Sequence, residues 1–71
     1  MSLRIVLNGH PRLFESLPSA STLQQLVAEL GLQSDRVAVE LNGGIVSRSS
    51  WSEMSIKEDD RLEIVHFVGG G

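Results

Sequence analysis

The sequence predicts a two-layer α+β domain, a mixed sheet with one main helix packed on it. Two patterns carry this prediction. Apolar residues recur at every second position in separate stretches: Leu3, Ile5 and Leu7, then Val37, Val39 and Leu41, then Leu62 and Ile64. That is the pattern of strands buried on one face. Between the first two stretches, Leu23, Leu26, Val27 and Leu30 stand at i, i+3, i+4 and i+7 and line one side of a helix. The strands then have one apolar face and the helix one apolar stripe, and each can bury against the other.

The first strand covers residues 3–7, with Arg4 and Val6 on its other face. Asn8-Gly9 follows it, the strongest short hairpin signal, because both central residues of a type I′ turn need φ > 0. A shorter strand is expected over residues 11–15, with Leu13 or Phe14 pointing inward, and Pro11 and Pro18 confine it to an edge. Residues 16–21 connect it to the helix. Thr22 reads as the N-cap and Gln25 can complete a capping box. Gly31 reads as the C′ residue, so the helix spans 22–31. Residues 37–42 form the next strand, and Asn42-Gly43-Gly44 turns it into a short one at Ile45-Val46. The loop holding Trp51 and Met54 is expected to contain a single helical turn. Residues 57–60 turn the chain into the last strand, 61–68. There Leu62 and Ile64 share one face and Glu63, Val65 and Phe67 the other. A hairpin that feeds a crossover helix predicts parallel pairing of the first and last strands. The expected core is Leu3, Ile5, Leu7, Leu23, Leu26, Val27, Leu30, Val37, Val39, Leu41, Leu62 and Ile64.

With 71 residues the chain is one domain near the lower size limit for independent folding. Residues 1–68 form the folded unit and 69–71 a flexible tail. Hydrophobic residues make up 41% and charged residues 21%, a globular composition and not a disordered one. The net charge of −3 offers no basic field for nucleic acid or an anionic membrane surface. No apolar run approaches the length of a membrane span, and no secretory signal is visible, which makes the cytoplasm the expected compartment. There is no cysteine, so disulfides, thiolate metal sites and a cysteine nucleophile are excluded within this sequence.

Few side chains offer chemistry. His10 and His66 lack a carboxylate at ligand spacing, and they read as surface residues, with no metal site expected. Ser47, Ser49 and Ser50 lack a base and a strained elbow, and they read as loop formers. Glu58, Asp59 and Asp60 read as a solvated cluster in a turn. Trp51 reads as a partial core plug. The terminal Gly69-Gly70-Gly71 has two readings. Glycine-rich ends are commonly frayed. A segment without Cβ atoms can also thread a narrow channel and present its carboxylate to another protein.

Several stretches bear on that choice: Asn8-Gly9, Thr22-Leu23 and Val39-Glu40-Leu41-Asn42-Gly43. Val46-x-Arg48, Asp60-Arg61-Leu62-Glu63-Ile64-Val65 and Phe67-Val68-Gly69-Gly70-Gly71 complete the set. Across nearly all its length the chain resembles the thiamine-pathway sulfur-carrier (ThiS) family, small proteins of the ubiquitin-like β-grasp superfold. It departs from the family at Ser47, where proline is frequent, and at Asp59, where glycine is usual. If that turn needs φ > 0, Asp59 must adopt it at some cost.

The resemblance implies a protein co-substrate and not an enzyme. It implies that Gly71, at the end of the tail Gly69-Gly70, is adenylylated by a ubiquitin-activating-type adenylyltransferase. ATP and Mg would be used by that partner, with no cofactor bound to this chain. A persulfide sulfur donor would then give a thiocarboxylate, and a thiazole synthase would receive the sulfur. Related readings are a carrier for molybdopterin or another acceptor, an inert β-grasp interaction module, and a modifier attached to lysines through Gly71. Strand parity places Val6, Ala38, Glu40, Val65 and Phe67 on the face opposite the helix. Val6, Val65 and Phe67 are expected to form one apolar docking patch beside the tail.

Overall fold

The computed structural model describes residues 2–18 and 20–67. Its elements are β1 (Leu3–Leu7), β2 (His10–Phe14), α1 (Leu23–Glu29), β3 (Val37–Leu41), β4 (Gly44–Val46) and β5 (Arg61–His66). Short 3-10 turns occupy Ser34–Arg36 and Arg48–Ser50. The sheet order is β2-β1-β5-β3-β4. β1 and β5 are parallel, with Val6 opposite Arg61 and Leu7 opposite Leu62, and the other neighbours are antiparallel. This is the mixed sheet with one covering helix that the patterning predicts. β2 starts one residue earlier than expected. The helical turn forms just ahead of Trp51, and the turn at Ser34–Arg36 was not anticipated. β5 stops at His66, with Phe67 already outside the strand, short of the expected end, and Val68 lies outside the described residues.

The helix is stopped at both ends by side-chain and backbone bonds that its sequence announces. The Thr22 hydroxyl accepts the Gln25 N–H at 3.2 Å, and the Gln25 side-chain oxygen accepts the Thr22 N–H at 2.7 Å. This reciprocal box satisfies two donors that a bare helix start leaves unpaired. At the other end Gly31 takes φ 74°. Its N–H bonds the Ala28 carbonyl at 3.0 Å and the Leu32 N–H bonds the Val27 carbonyl at 3.3 Å, the pair of bonds that closes a helix through a left-handed residue.

The buried face holds Leu3, Ile5, Leu7, Leu23, Leu26, Val27, Val37, Val39, Leu62 and Ile64, as expected, together with Phe14, Leu17, Trp51 and Ile56. Leu30 and Leu41 depart from expectation. Both are only partly buried, because each sits at the end of its element, where the opposite layer no longer covers it. Leu17, Trp51 and Ile56 lie in loops, where no period marks the inward side. Trp51 is a full core member, 2% exposed, and its indole N–H donates to the Val46 carbonyl at 3.0 Å. The surrounding loop is laced to the helix start. Leu23 N–H bonds Met54 C=O, Gln24 N–H bonds Trp51 C=O, and Ile56 N–H bonds Ser21 C=O. Trp51 and Ile56 thereby close the end of the core that the short helix leaves uncovered.

Candidate functional site

The strand that leads to the glycines is held by two hairpin turns that carry the same dipeptide. Asn8-Gly9 has φ 51° and 82°, and Asn42-Gly43 has φ 51° and 90°. Leu7 faces His10 and Leu41 faces Gly44 across these two-residue loops, as in type I′ turns. In both turns the asparagine also reaches β5. Asn42 grips its start: the Asn42 N–H bonds the Arg61 carbonyl at 2.7 Å, and its Oδ1 accepts the Arg61 N–H at 2.9 Å. Asn8 grips its far half. Its N–H bonds the Leu62 carbonyl at 2.8 Å, and its Oδ1 accepts the Ile64 N–H at 2.8 Å. On the β3 side the Phe67 N–H bonds the Arg36 carbonyl at 2.8 Å. The backbone is thus tied to the sheet up to residue 67, the last described residue. Gly69, Gly70 and Gly71, and the expectation of a mobile tail, lie outside the described residues.

Val65 and Phe67 are placed as parity predicts, on the open face, 61% and 57% exposed. Val6 is on the same face but does not join them, which corrects the expected single patch. It is half-buried and lies opposite Arg61, four residues before Val65, or about 13 Å along the strand. A shallow groove of about 240 Å³, lined by Val6, Asn8, Gly9, Arg61, Leu62 and Glu63, occupies that stretch. Parity assigns a side chain to a face, but only register says how far along the sheet it sits. The direct cross-strand neighbour of Val65 is on β3 instead. Ala38 is directly opposite Val65. Ile45, 79% exposed, is opposite Glu40 and so diagonal to Ala38. The sequence carried a signal for Ile45. A two-residue turn at Asn42-Gly43 pairs Glu40 with Ile45, and directly paired residues share a face.

His10 and His66 are exposed on β2 and β5, and β1 lies between these strands. Among the described residues no three His, Cys, Asp or Glu are grouped to hold a metal ion. Glu58 and Asp59 are exposed beside Arg4, whose Nε lies 3.8 and 3.5 Å from their carboxylates. Asp59 does take a left-handed φ of 67°, and its N–H bonds the Arg4 carbonyl at 2.8 Å. Asp60 is not simply solvated. Its carboxylate accepts the Asn42 side-chain amide at 3.0 Å and the Lys57 N–H at 2.7 Å, which locks the turn into β5. What the structure places together is the held end of β5 and, on its open face, the exposed Val65 and Phe67.

Residues 5–71 match the model of a family described as the ThiS family. A thiazole synthase from Magnetococcus marinus is 42% identical over 69 residues, covering 97% of this chain and 20% of that protein. The chain thus spans about a fifth of such thiazole synthases, a second example coming from Paramagnetospirillum magneticum. The sulfur carrier protein ThiS of Bacillus subtilis is 42% identical over 50 residues, 70% of this chain and 76% of that one. Among solved structures, the crystal structure of a thiamine biosynthesis protein (ThiS) from Geobacter metallireducens superposes with a TM-score of 0.83 at 28% identity. It covers 97% of this chain and 100% of its own.

Proposed function

The chain belongs to the ThiS family, and on that premise we propose that it is a sulfur carrier of thiamine biosynthesis whose working group is the carboxylate of Gly71. One observation supports this reading above the rest: the family match runs through residue 71 and takes in the three glycines. A carboxylate is a poor acyl donor, since its oxygen does not leave. A partner adenylyltransferase of the ubiquitin-activating type joins it to AMP from MgATP and releases pyrophosphate. The terminal sulfur of a persulfide on a donor protein attacks the carbonyl carbon, and AMP leaves. A thiol then cleaves the remaining S–S bond and frees the thiocarboxylate. Sulfur passes to a thiazole synthase, a class with which segments like this chain share a polypeptide. The nucleotide, the metal and the persulfide belong to the partners, and this chain supplies the end group and a surface, as a co-substrate in the cytoplasm.

On this reading Val65 and Phe67, with Ala38 opposite Val65, form the surface on which adenylyltransferase and sulfur acceptor dock in turn, and Val6 lies outside it. The experiment is intact-mass analysis after incubation with the adenylyltransferase, MgATP and a persulfide donor. The expected product gains the mass of one oxygen-to-sulfur exchange, localised to Gly71, and serves as sulfur source for thiazole formation. A chain that never acquires an adenylate or sulfur at Gly71 would sink the proposal.

A further inference from the structure

Asn8 stands where β5 would otherwise lose a neighbour. β1 ends at Leu7 and turns away into β2, while β5 runs on to His66. At that point the Asn8 side chain stands in for a strand. Its Oδ1 accepts the Ile64 N–H at 2.8 Å and its Nδ2 donates to the Ile64 carbonyl at 3.4 Å. Both backbone groups of Ile64 on this side are thus engaged by one side chain from 56 positions away. On the β1 edge this is the last hold on β5 among the described residues, while on the β3 edge pairing continues with Val65 opposite Ala38 and His66 opposite Val37, and the Phe67 N–H bonds the Arg36 carbonyl. Glycines carry no side chain that could steer them, and they sample the widest backbone space. The direction in which such a segment leaves the body is set by the holds on both edges of the strand before it, and Asn8 supplies the one on the β1 edge.

We infer that Asn8 is a positioning residue for the carrier reaction: by clasping Ile64 it holds the edge of β5 that β1 leaves open and, together with the β3 ladder, aims Gly71 at a partner's reacting centre. This rests on the carrier reading proposed above. Loosening the clasp widens the set of directions open to the tail, and binding must then order more of it. The effect falls on KM for the carrier, because the chemistry of a seated tail is the partner's. Asn42 provides the control within the same molecule. It has the same φ, the same following glycine and the same Oδ1 bond to a β5 N–H, but it holds the end of β5 remote from the glycines.

The experiment compares Asn8→Gly and Asn42→Gly with the unmodified chain. Glycine keeps φ > 0 in either turn, so each variant removes one clasp and leaves the hairpin. Amide hydrogen exchange reads the clasp itself, and steady-state adenylylation of Gly71 reads its consequence. The expected result for Asn8→Gly is exchange at Ile64 faster by about tenfold or more and KM raised about three- to tenfold with kcat little changed. Asn42→Gly is expected to speed exchange at Arg61 and leave KM within about twofold. Those changes follow the entropy of ordering released segments. Asn8→Asp keeps the acceptor for the Ile64 N–H and loses the donor, and it should fall between the two. It carries the same comparison if Asn8→Gly does not fold. Unchanged exchange at Ile64, or equal KM for the Asn8 and Asn42 variants, overturns the inference while adenylylation of the unmodified chain upholds the carrier reading. No adenylylation of the unmodified chain overturns both.

Discussion

On the helix-covered side of β5, Leu62 and Ile64 are less than a tenth exposed, while on the other side Val65 and Phe67 are more than half exposed. The residue types hardly differ. The difference is the cover: α1 and the loop carrying Trp51 and Ile56 close one face, and among the described residues no element packs on the other. Stability therefore resides on one face, and the second is free to be chosen for contact with other molecules. On the carrier reading proposed above, the apolar side chains on this bare face are the surface for association.

The comparison can be broken or sharpened by substitution. The largest loss is expected for Trp51→Ala. It empties a large buried volume and removes the hydrogen bond to Val46, and it should cost about 3–5 kcal/mol in urea melts. A cost under 1 kcal/mol would mean that the loop does not close the core. Leu26→Ala, at the centre of the helix stripe, should cost about 2–5 kcal/mol. A change too small to resolve would remove the helix from the list of elements that hold the sheet. Thr22→Ala breaks one arm of the capping box and should lower stability by about 1 kcal/mol, measured as a shift in the urea midpoint at unchanged slope. The smallest effect on folding belongs to the open face. Val65→Asp with Phe67→Asp should stay within about 0.5 kcal/mol of the parent and yet impair adenylylation of Gly71. A double variant activated with unaltered efficiency would show that docking uses another surface.

How much of this was legible before the structure follows from the kind of signal. The capping box at Thr22 and Gln25, the C′ glycine at Gly31 and the turn at Asn8-Gly9 depend on groups within five residues of one another, and they form as read. The left-handed Asp59 was foreseen only through the family's usual glycine. Trp51 was assigned a partial role, and Leu17 and Ile56 none, because aperiodic segments carry no record of which way a side chain points. The candidate site divides in the same way. Alternation along β5 places Val65 and Phe67 on their face, but it carries no information on how far along the sheet Val6 sits from them.

Asparagine shows where local reasoning ends. Its place before glycine accounts for the turn at residue 8 and for the turn at residue 42, since both need a residue tolerant of positive φ. Nothing local says that each amide then reaches a strand more than fifteen residues further along the chain. The sequence by itself determined the elements, their faces and the left-handed positions, because these are set by periodicity and by backbone sterics a few bonds long. Only the tertiary structure decided the register of β1 against β5, the loop residues that complete the core, and the clasp of Asn8 on Ile64. Each of these depends on distances across the sheet between segments remote in the chain, and no spacing along the sequence encodes such distances.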